Sequence, residues 1–449
     1  MPTLLTAAPV APIDAHSLLV FLLQVTVLLG VALLLGRIAT RFGMPAVIGE
    51  LLAGVLLGPS LLEKVAPGFS DWLLPHRPEQ VHMLDAVGQV GVLLLIGLTG
   101  IELDLPAIRR RGATAIRVSL FGLIIPFGFG VGTGWLLPGS LGTGHGSKLV
   151  FALFLGVAMG VSAMPVIAKT LMDMNLLHRN IGQLTLAAGT LDDAFGWFML
   201  SVVSAMAVGG LTAGGVGLSL LYLVGLVVVA YFAGRPAARV LLRFAGRGTD
   251  NGPLIGVVVL MIIAGAAATQ SLGLEAVLGG FIAGVLIGSA GKVAPARLAP
   301  LRTVVAAVFA PLYFGIAGLR MDLTALVHPA VLAAAVVVLA IAILGKFAGA
   351  YLGARLSRLN RWEALALGAG MNSRGVVEVI VAMVGLRLGV LSSTTYTIVV
   401  LVAIVTSLMA PPILRFAMRR VEHTAEEELR RAERIGDGIV PAPVADAGT

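Results

Sequence analysis

The sequence contains no cysteine, which excludes disulfides, thiolate catalysis and cysteine metal sites together. Charge is almost as scarce. Only 12% of the 449 residues are Asp, Glu, Lys or Arg, against about 25% in soluble domains, so too few charges exist to cover a water-facing surface. With 58% hydrophobic residues and a mean hydropathy of +1.00, the whole chain is read as membrane-embedded, not merely anchored at one point. Acidic residues number 23 against 31 basic ones, for a net charge of +8. The basic residues stand singly between apolar runs instead of clustering with aromatics, which argues against a nucleic-acid partner. No Lys or Arg precedes Arg37, so the basic flank of a cleaved signal peptide is missing. The first apolar run, Ser17 to Gly36, is therefore read as a permanent helix with its N-terminus outside.

What is abundant is apolar runs of spanning length. Counted against about 20 residues per crossing, thirteen candidates fall near 17–36, 43–62, 83–101, 116–137, 149–172, 181–208, 216–234, 253–271, 275–290, 302–320, 326–354, 362–386 and 393–417. The expected fold is all-α and polytopic. With the N-terminus outside, 24 Lys and Arg fall in inside loops and the tail, and 5 in outside loops (Lys64, Arg77, Lys148, Arg320 and Arg387). That bias makes the C-terminus cytoplasmic. From Arg419 the chain turns charged and then Pro- and Ala-rich. Residues 421–449 are read as a short tail with no ligand-sensing module.

Helices one to six and eight to thirteen form two six-helix units joined by helix seven, and an odd linker inverts the second unit relative to the first. The units are placed at about 17–209 and 253–418, with the linker at about 216–234. Such repeats predict interruptions at matching places. Helix five is expected to break at Ser162, Ala163, Met164 and Pro165, and helix twelve at Gly370 through Asn372, Ser373 and Arg374 to Gly375. Each is the fifth helix of its unit. Unwound backbone at that depth survives only where it lines protein or a wet cavity.

Helix six carries adjacent carboxylates, Asp192 and Asp193, within LAAGTLDDAFGWFML. An ionised group at the bilayer centre costs roughly 2.5 to 3.5 kcal/mol on insertion scales, so a compensating ion is expected. Neighbours on a helix point about 100° apart, which assigns the two acids different tasks. Thr190 shares the face of Asp193, and a hydroxyl beside a carboxylate near free carbonyls is hard oxygen coordination suited to Na+, Li+ or H+. Lys346, mid-helix in AIAILGKFAGAYLG, needs an anionic partner, and a buried aspartate is the cheapest. Loss of that partner to an arriving cation would free a proton. Glu378 lies four residues after Arg374, the spacing of an intrahelical pair. Glu50 and Glu102 read as gating, packing or cavity-edge groups. The seven histidines fall in loops, helix ends or the tail, against a histidine metal centre or proton wire.

At these residues the sequence resembles the monovalent cation:proton antiporter-2 family of the cation/proton antiporters. The resembling stretches include MPAVIGELLAGVLLGPSLL, SAMPVIAKTLMDM, LAAGTLDDAFGWFML, LGKFAGAYLGARL and MNSRGVVEVIVAMVGLRLG. The resemblance implies a dimer domain, a core domain with two crossed broken helices, elevator-like alternating access and a homodimer in the membrane lipid. It also implies that Asp193 binds the cation or proton, that Asp192 pairs with Lys346, and that exchange is electrogenic. Val376 stands where many bacterial relatives have an acid after Arg-Gly, and that acid comes later here, at Glu378. The expected activity is antiport of H+ against Na+, with K+ or Li+ open, in a prokaryotic plasma membrane, without a resident cofactor or enzyme activity. Two other readings are a sodium-coupled organic-anion symporter and an intramembrane aspartyl protease, the latter disfavoured because adjacent acids do not face each other. A receptor or scaffold that transports nothing is a further alternative.

Overall fold

The computed structural model describes residues 13–75, 77–103, 105–138, 147–209, 213–248, 250–290, 294–425 and 427–428, with backbone alone for 105–111, 173, 209, 213–220 and 295. Lys292, His76, His145 and the tail beyond residue 428 lie outside the described residues, as do the side chains of Arg109, Arg110 and Arg111.

Among the described residues, thirteen principal helical segments follow one another: α1 (Ala15–Arg41), α2 (Ala46–Leu57), α3 (Pro78–Ile101), α4 (Leu105–Leu136), α5a (Lys148–Gly160) with α5b (Met164–Asp173), and α6 (Asn180–Gly209). Next come α7 (Ala213–Val229, continued through a π-turn into Arg235–Ala245), α8 (Gly252–Ser271), α9 (Ala276–Ser289) and α10 (Ala299–Val304, a π-turn and Ala310–Leu319). The last are α11 (Pro329–Leu356), α12a (Arg361–Met371) with α12b (Val376–Arg387), and α13 (Ser393–Met418).

Among the described residues, eleven stretches are long and apolar enough to cross a membrane, α2 only when joined to the short helical turn after it (Ala46–Val65) and α5a only together with α5b (Lys148–Met172), and the bent pair α12a/α12b makes a twelfth. The thirteenth expected span is α9, only 14 residues long. At 1.5 Å per residue it reaches about 21 Å, short of a hydrocarbon core about 30 Å thick. The helix lies within one residue of the expected run at 275–290, which is itself only 16 residues long. Helix α4 begins before the expected position 116, with a non-helical kink at Gly112.

Packing sorts the spans by threes. α1, α2 and α3 pack with one another and with α8, α9 and α10, whereas α4, α5 and α6 pack with one another and with α11, α12 and α13. Helix α7 touches α6 with its first half and α8 and α9 with its second. Small residues set the closest approaches, as expected where lipid gives helices no hydrophobic reason to associate. A Cβ on Gly54 of α2 would stand 1.9 Å from the Gly315 carbonyl of α10. The second group of six holds the acidic pair.

Candidate functional site

The two breaks meet face to face. Val161 and Ala163 are extended between α5a and α5b, and Asn372 to Gly375 separate α12a from α12b. Both breaks are narrower than the sequence indicates. Met164 and Pro165 are not in the first gap but open α5b, because proline in a first helical turn forfeits a hydrogen bond no partner would have made. Gly370 and Met371 likewise remain in the last turn of α12a. Gly375 has φ +150° and ψ −103°, a conformation open essentially to glycine alone.

Two hydrogen bonds join one break to the other, one from Ala163 and one from Ser162. The Ala163 amide donates to the Ser373 carbonyl at 3.1 Å. Ser162 Oγ lies 2.8 Å from the Met371 carbonyl and 2.8 Å from Asp192 Oδ2. Behind them, Ser407 of α13 donates to the Arg374 carbonyl.

The two aspartates differ sharply in surroundings. Asp192 is fully buried; Lys346 Nζ lies 2.5 Å from its Oδ2, and Ser119 Oγ donates to its Oδ1 at 2.7 Å. Every charge-bearing atom of Asp192 is thus engaged. Asp193, 2% exposed, has its Oδ1 3.5 Å from the Met164 amide at the start of α5b, where a helix N-terminus favours an anion. Its Oδ2 has no hydrogen-bond partner among the described residues. Two carboxylates arranged this way do not form the face-to-face dyad a protease shares a proton across. Thr190, on the same helix face, donates its hydroxyl to the Leu186 carbonyl at 2.8 Å, leaving its oxygen lone pairs as its only further contribution.

Arg374 does more than pair with Glu378, which it meets at 3.2 Å. Its guanidinium also donates to the carbonyls of Ala158 and Met159 in α5a and of Ala342 in α11. Lys346 takes the next carbonyl, Gly160, at 2.5 Å. The last three carbonyls of α5a, which the break strips of intrahelical donors, are therefore satisfied by two buried cations at the negative end of a helix dipole. The sequence showed these cations as seeking anions; their second task of capping α5a was not legible there. Ser119 was also missed, although it is a single hydroxyl in a long apolar run of α4. Glu50 is buried against Gly36 of α1, away from these contacts. Glu102 pairs with Arg302 at 3.4 Å with both side chains partly exposed, a surface pair of small value.

Two further joints surround the site. At the start of α6, Glu427 accepts from the Asn180 amide at 2.5 Å and the Thr424 amide at 3.1 Å, and pairs with Arg179 at 3.0 Å. Arg179 also donates to the carbonyls of Val421 and Glu422 and lies 3.0 Å from His423 Nε2. The segment after α13 is thereby clasped to the end of the aspartate helix. On the opposite side, Arg387 of α12b meets Glu275, the N-cap of α9, at 2.8 Å, and Arg320 Nη2 meets Asp85 at 2.5 and 2.6 Å. A cavity of about 290 Å³ lies there, bordered by Asp85, Gln89, Tyr313, Ile380 and Arg387.

Comparison with known proteins identifies the family and the fold. Residues 28–420 match the family described as "Sodium/hydrogen exchanger, transmembrane". The Na(+)/H(+) antiporter NhaS4 of Synechocystis is 31% identical over 89% of this chain and 98% of its own length. Cation/H(+) antiporter 17 of Arabidopsis thaliana is 32% identical over 89% of this chain, which spans 48% of that protein. The K(+)/H(+) antiporter 1 of Saccharomyces cerevisiae is 28% identical, with the chain spanning 46% of it. Among solved structures, the sodium proton antiporter MjNhaP1 from Methanocaldococcus jannaschii shares the fold, with a TM-score of 0.66 at 17% identity over 90% of this chain and 99% of that one. Match length, identity and shared architecture agree: this integral, multi-pass membrane protein belongs to the transmembrane sodium/hydrogen exchanger family, within the cation/proton antiporters.

Proposed function

We propose that the protein exchanges H+ for a monovalent cation by alternating access, with Na+ the leading cargo and K+ or Li+ as alternatives. The observation that carries this reading is Asp193: a carboxylate buried at a helix crossing, oriented by the Met164 amide, with one oxygen left without a partner. A proton or a small cation on that oxygen neutralises the site, and a neutral site crosses a hydrocarbon barrier far more easily than a bare anion. Competition between the two for Asp193 is then the coupling device, since each stabilises the mobile core only in its own loaded form.

In the same proposal Lys346 couples a second charge. Its ammonium is held by Asp192 and the Gly160 carbonyl, and a cation drawing Asp192 away removes the anion that keeps it charged. Release of that proton makes the exchange electrogenic. The names of the relatives support both sodium and potassium as cargo. The remaining parts of the proposal are a homodimer, a prokaryotic plasma membrane, an outside N-terminus and a cytoplasmic C-terminus, with pH homeostasis as the physiological use.

The test is reconstitution into liposomes loaded with a pH-sensitive dye under an imposed proton gradient, with Na+, K+, Li+ or choline added in turn. Small cations but not choline should trigger proton movement, and Asp193→Asn should abolish it. Absence of movement with every cation, from folded wild-type protein, overturns the proposal. Sodium-dependent uptake of a labelled organic acid would replace it with the symporter reading.

A further inference from the structure

A second buried acceptor oxygen without a partner lies at the same crossing. Asn372 is 1% exposed, and its Oδ1 meets no donor among the described residues. Its backbone position is tightly fixed on both sides. The preceding carbonyl, Met371, lies 2.8 Å from Ser162 Oγ, which also contacts Asp192. The following carbonyl, Ser373, accepts from Ala163, whose neighbour Met164 presents its amide to Asp193. Asn372 is thus bracketed by the two contacts that tie the α12 break to the segment holding both aspartates. Its own amide N–H continues α12a by donating to the Gly368 carbonyl at 3.2 Å, so its side chain is not needed to end that helix.

An amide oxygen left unsatisfied in a dry interior costs about 1 to 3 kcal/mol. It persists where something else uses it. Glu378 Oε2 is also unpartnered nearby, but its carboxylate already has Arg374 as counter-ion. Asn372 Oδ1 is neutral and uncommitted, which suits it to complete the oxygen shell of a small cation whose charge Asp193 balances. A proton needs one oxygen, whereas a dehydrated alkali cation needs several.

We infer that Asn372 is a cation-specific ligand of the exchange site, contributing its side-chain oxygen to the alkali ion and nothing to the proton. This inference rests on Asp193 as the exchange carboxylate and adds a residue that separates the two cargoes. Removing the oxygen weakens cation binding while leaving protonation of Asp193 in place. It also changes the order of preference among Na+, Li+ and K+, because the shell loses a ligand whose reach helps set its size.

The test compares wild type, Asn372→Ala and Asn372→Leu in the same proteoliposomes, with KM and maximal rate measured for Na+, Li+ and K+ over a range of pH. Both variants should raise the KM for the preferred cation at least about tenfold, a loss of uniform binding, with maximal rate within about twofold. The ratio of KM values among the three ions should shift, a readout that mere loosening of the break does not produce. Folded variants with unchanged KM and ion order overturn the inference. If alanine and leucine are not tolerated, Asn372→Ser, which keeps a shorter oxygen, should give an intermediate KM and altered ion order; wild-type values in that variant likewise overturn it. Wild-type protein that moves no protons with any cation is a different failure and removes the exchange reading itself.

Discussion

Lys346 Nζ stands 2.5 Å from Asp192 Oδ2 and 2.5 Å from the Gly160 carbonyl, so one ammonium joins α11, α6 and the broken end of α5a. Removing one member strands the other charge without a partner, a loss of about 3 to 5 kcal/mol for a buried pair. Lys346→Met and Asp192→Leu should each lower the thermal midpoint in detergent markedly. The double variant Lys346→Met, Asp192→Leu should be less damaged than the sum, since replacing both partners by apolar groups leaves no bare charge. Additive losses in a double-mutant cycle would show that the pair is not coupled.

Gly375 makes the turn of the α12 break. Its φ of +150° is strained for any L side chain, and an added Cβ would meet Val166 Cγ2 at 2.9 Å. Gly375→Ala should cost about 1 to 3 kcal/mol and displace α12b from α5b, cutting transport while the protein still enters the membrane. Proton flux in reconstituted vesicles, normalised to inserted protein, reads this directly.

The clasp at the start of α6 carries a pH prediction with a definite sign. Burial pushes the Glu427 carboxyl up, but the amides of Asn180 and Thr424 and the Arg179 guanidinium together hold it below its ordinary value. A carboxyl depressed in the folded state adds stability above its unfolded pKa of about 4.3, and that contribution is lost as pH falls through the folded value. Neutral pH therefore keeps the clasp closed. The protection factor of the Asn180 amide, with the intrinsic exchange rate at each pH divided out, should be high at pH 7, fall on acidification through the depressed range of the folded carboxyl, and be low already at pH 7 in Glu427→Gln. Equal protection in variant and wild type at pH 7 would show that the carboxylate does not hold the joint.

Arg387 and Glu275 connect α12b, in the group holding the aspartates, to the N-cap of α9 in the other group. If the aspartate-bearing group slides against the other, this contact must open in every cycle. Arg387→Cys with Glu275→Cys should, on cross-linking with a short bifunctional reagent, stop proton exchange, and a cleavable linker should restore it on reduction. The natural chain contains no cysteine, so no background thiol confuses the result. Exchange that persists at full cross-linking would place the moving boundary elsewhere.

The hydropathy of the chain made the helices legible, and buried charge made the acidic pair legible, because both follow from what lipid refuses to solvate. Thr190 and Ser162 could be named from helix geometry and from the break, and Ser162 does contact Asp192. Asn372 was legible only as part of a break, since a sequence does not show which polar atom finds no donor. Arg374 illustrates a different limit. Its spacing to Glu378 predicts the ion pair, but its bonds to Ala158, Met159 and Ala342 are set by tertiary approach of three helices. The exact edges of both gaps shifted because proline and glycine, which punctuate a sequence, are accommodated inside the first and last turns of these half-helices. Hydropathy locates the short α9 to within one residue, at 275–290, but makes it a crossing without weighing its 14-residue length.

Ser162 has one hydroxyl hydrogen and two acceptors at equal distance, Asp192 Oδ2 on α6 and the Met371 carbonyl at the end of α12a. It cannot serve both at full strength. When Asp192 bears its full charge, the hydrogen is drawn to the carboxylate and the Met371 carbonyl is left short of a donor. When that charge is met by another partner, the hydroxyl is free to rotate towards the carbonyl and tie the two breaks together. A single hydroxyl thus connects the charge on Asp192 with the contact between the two breaks.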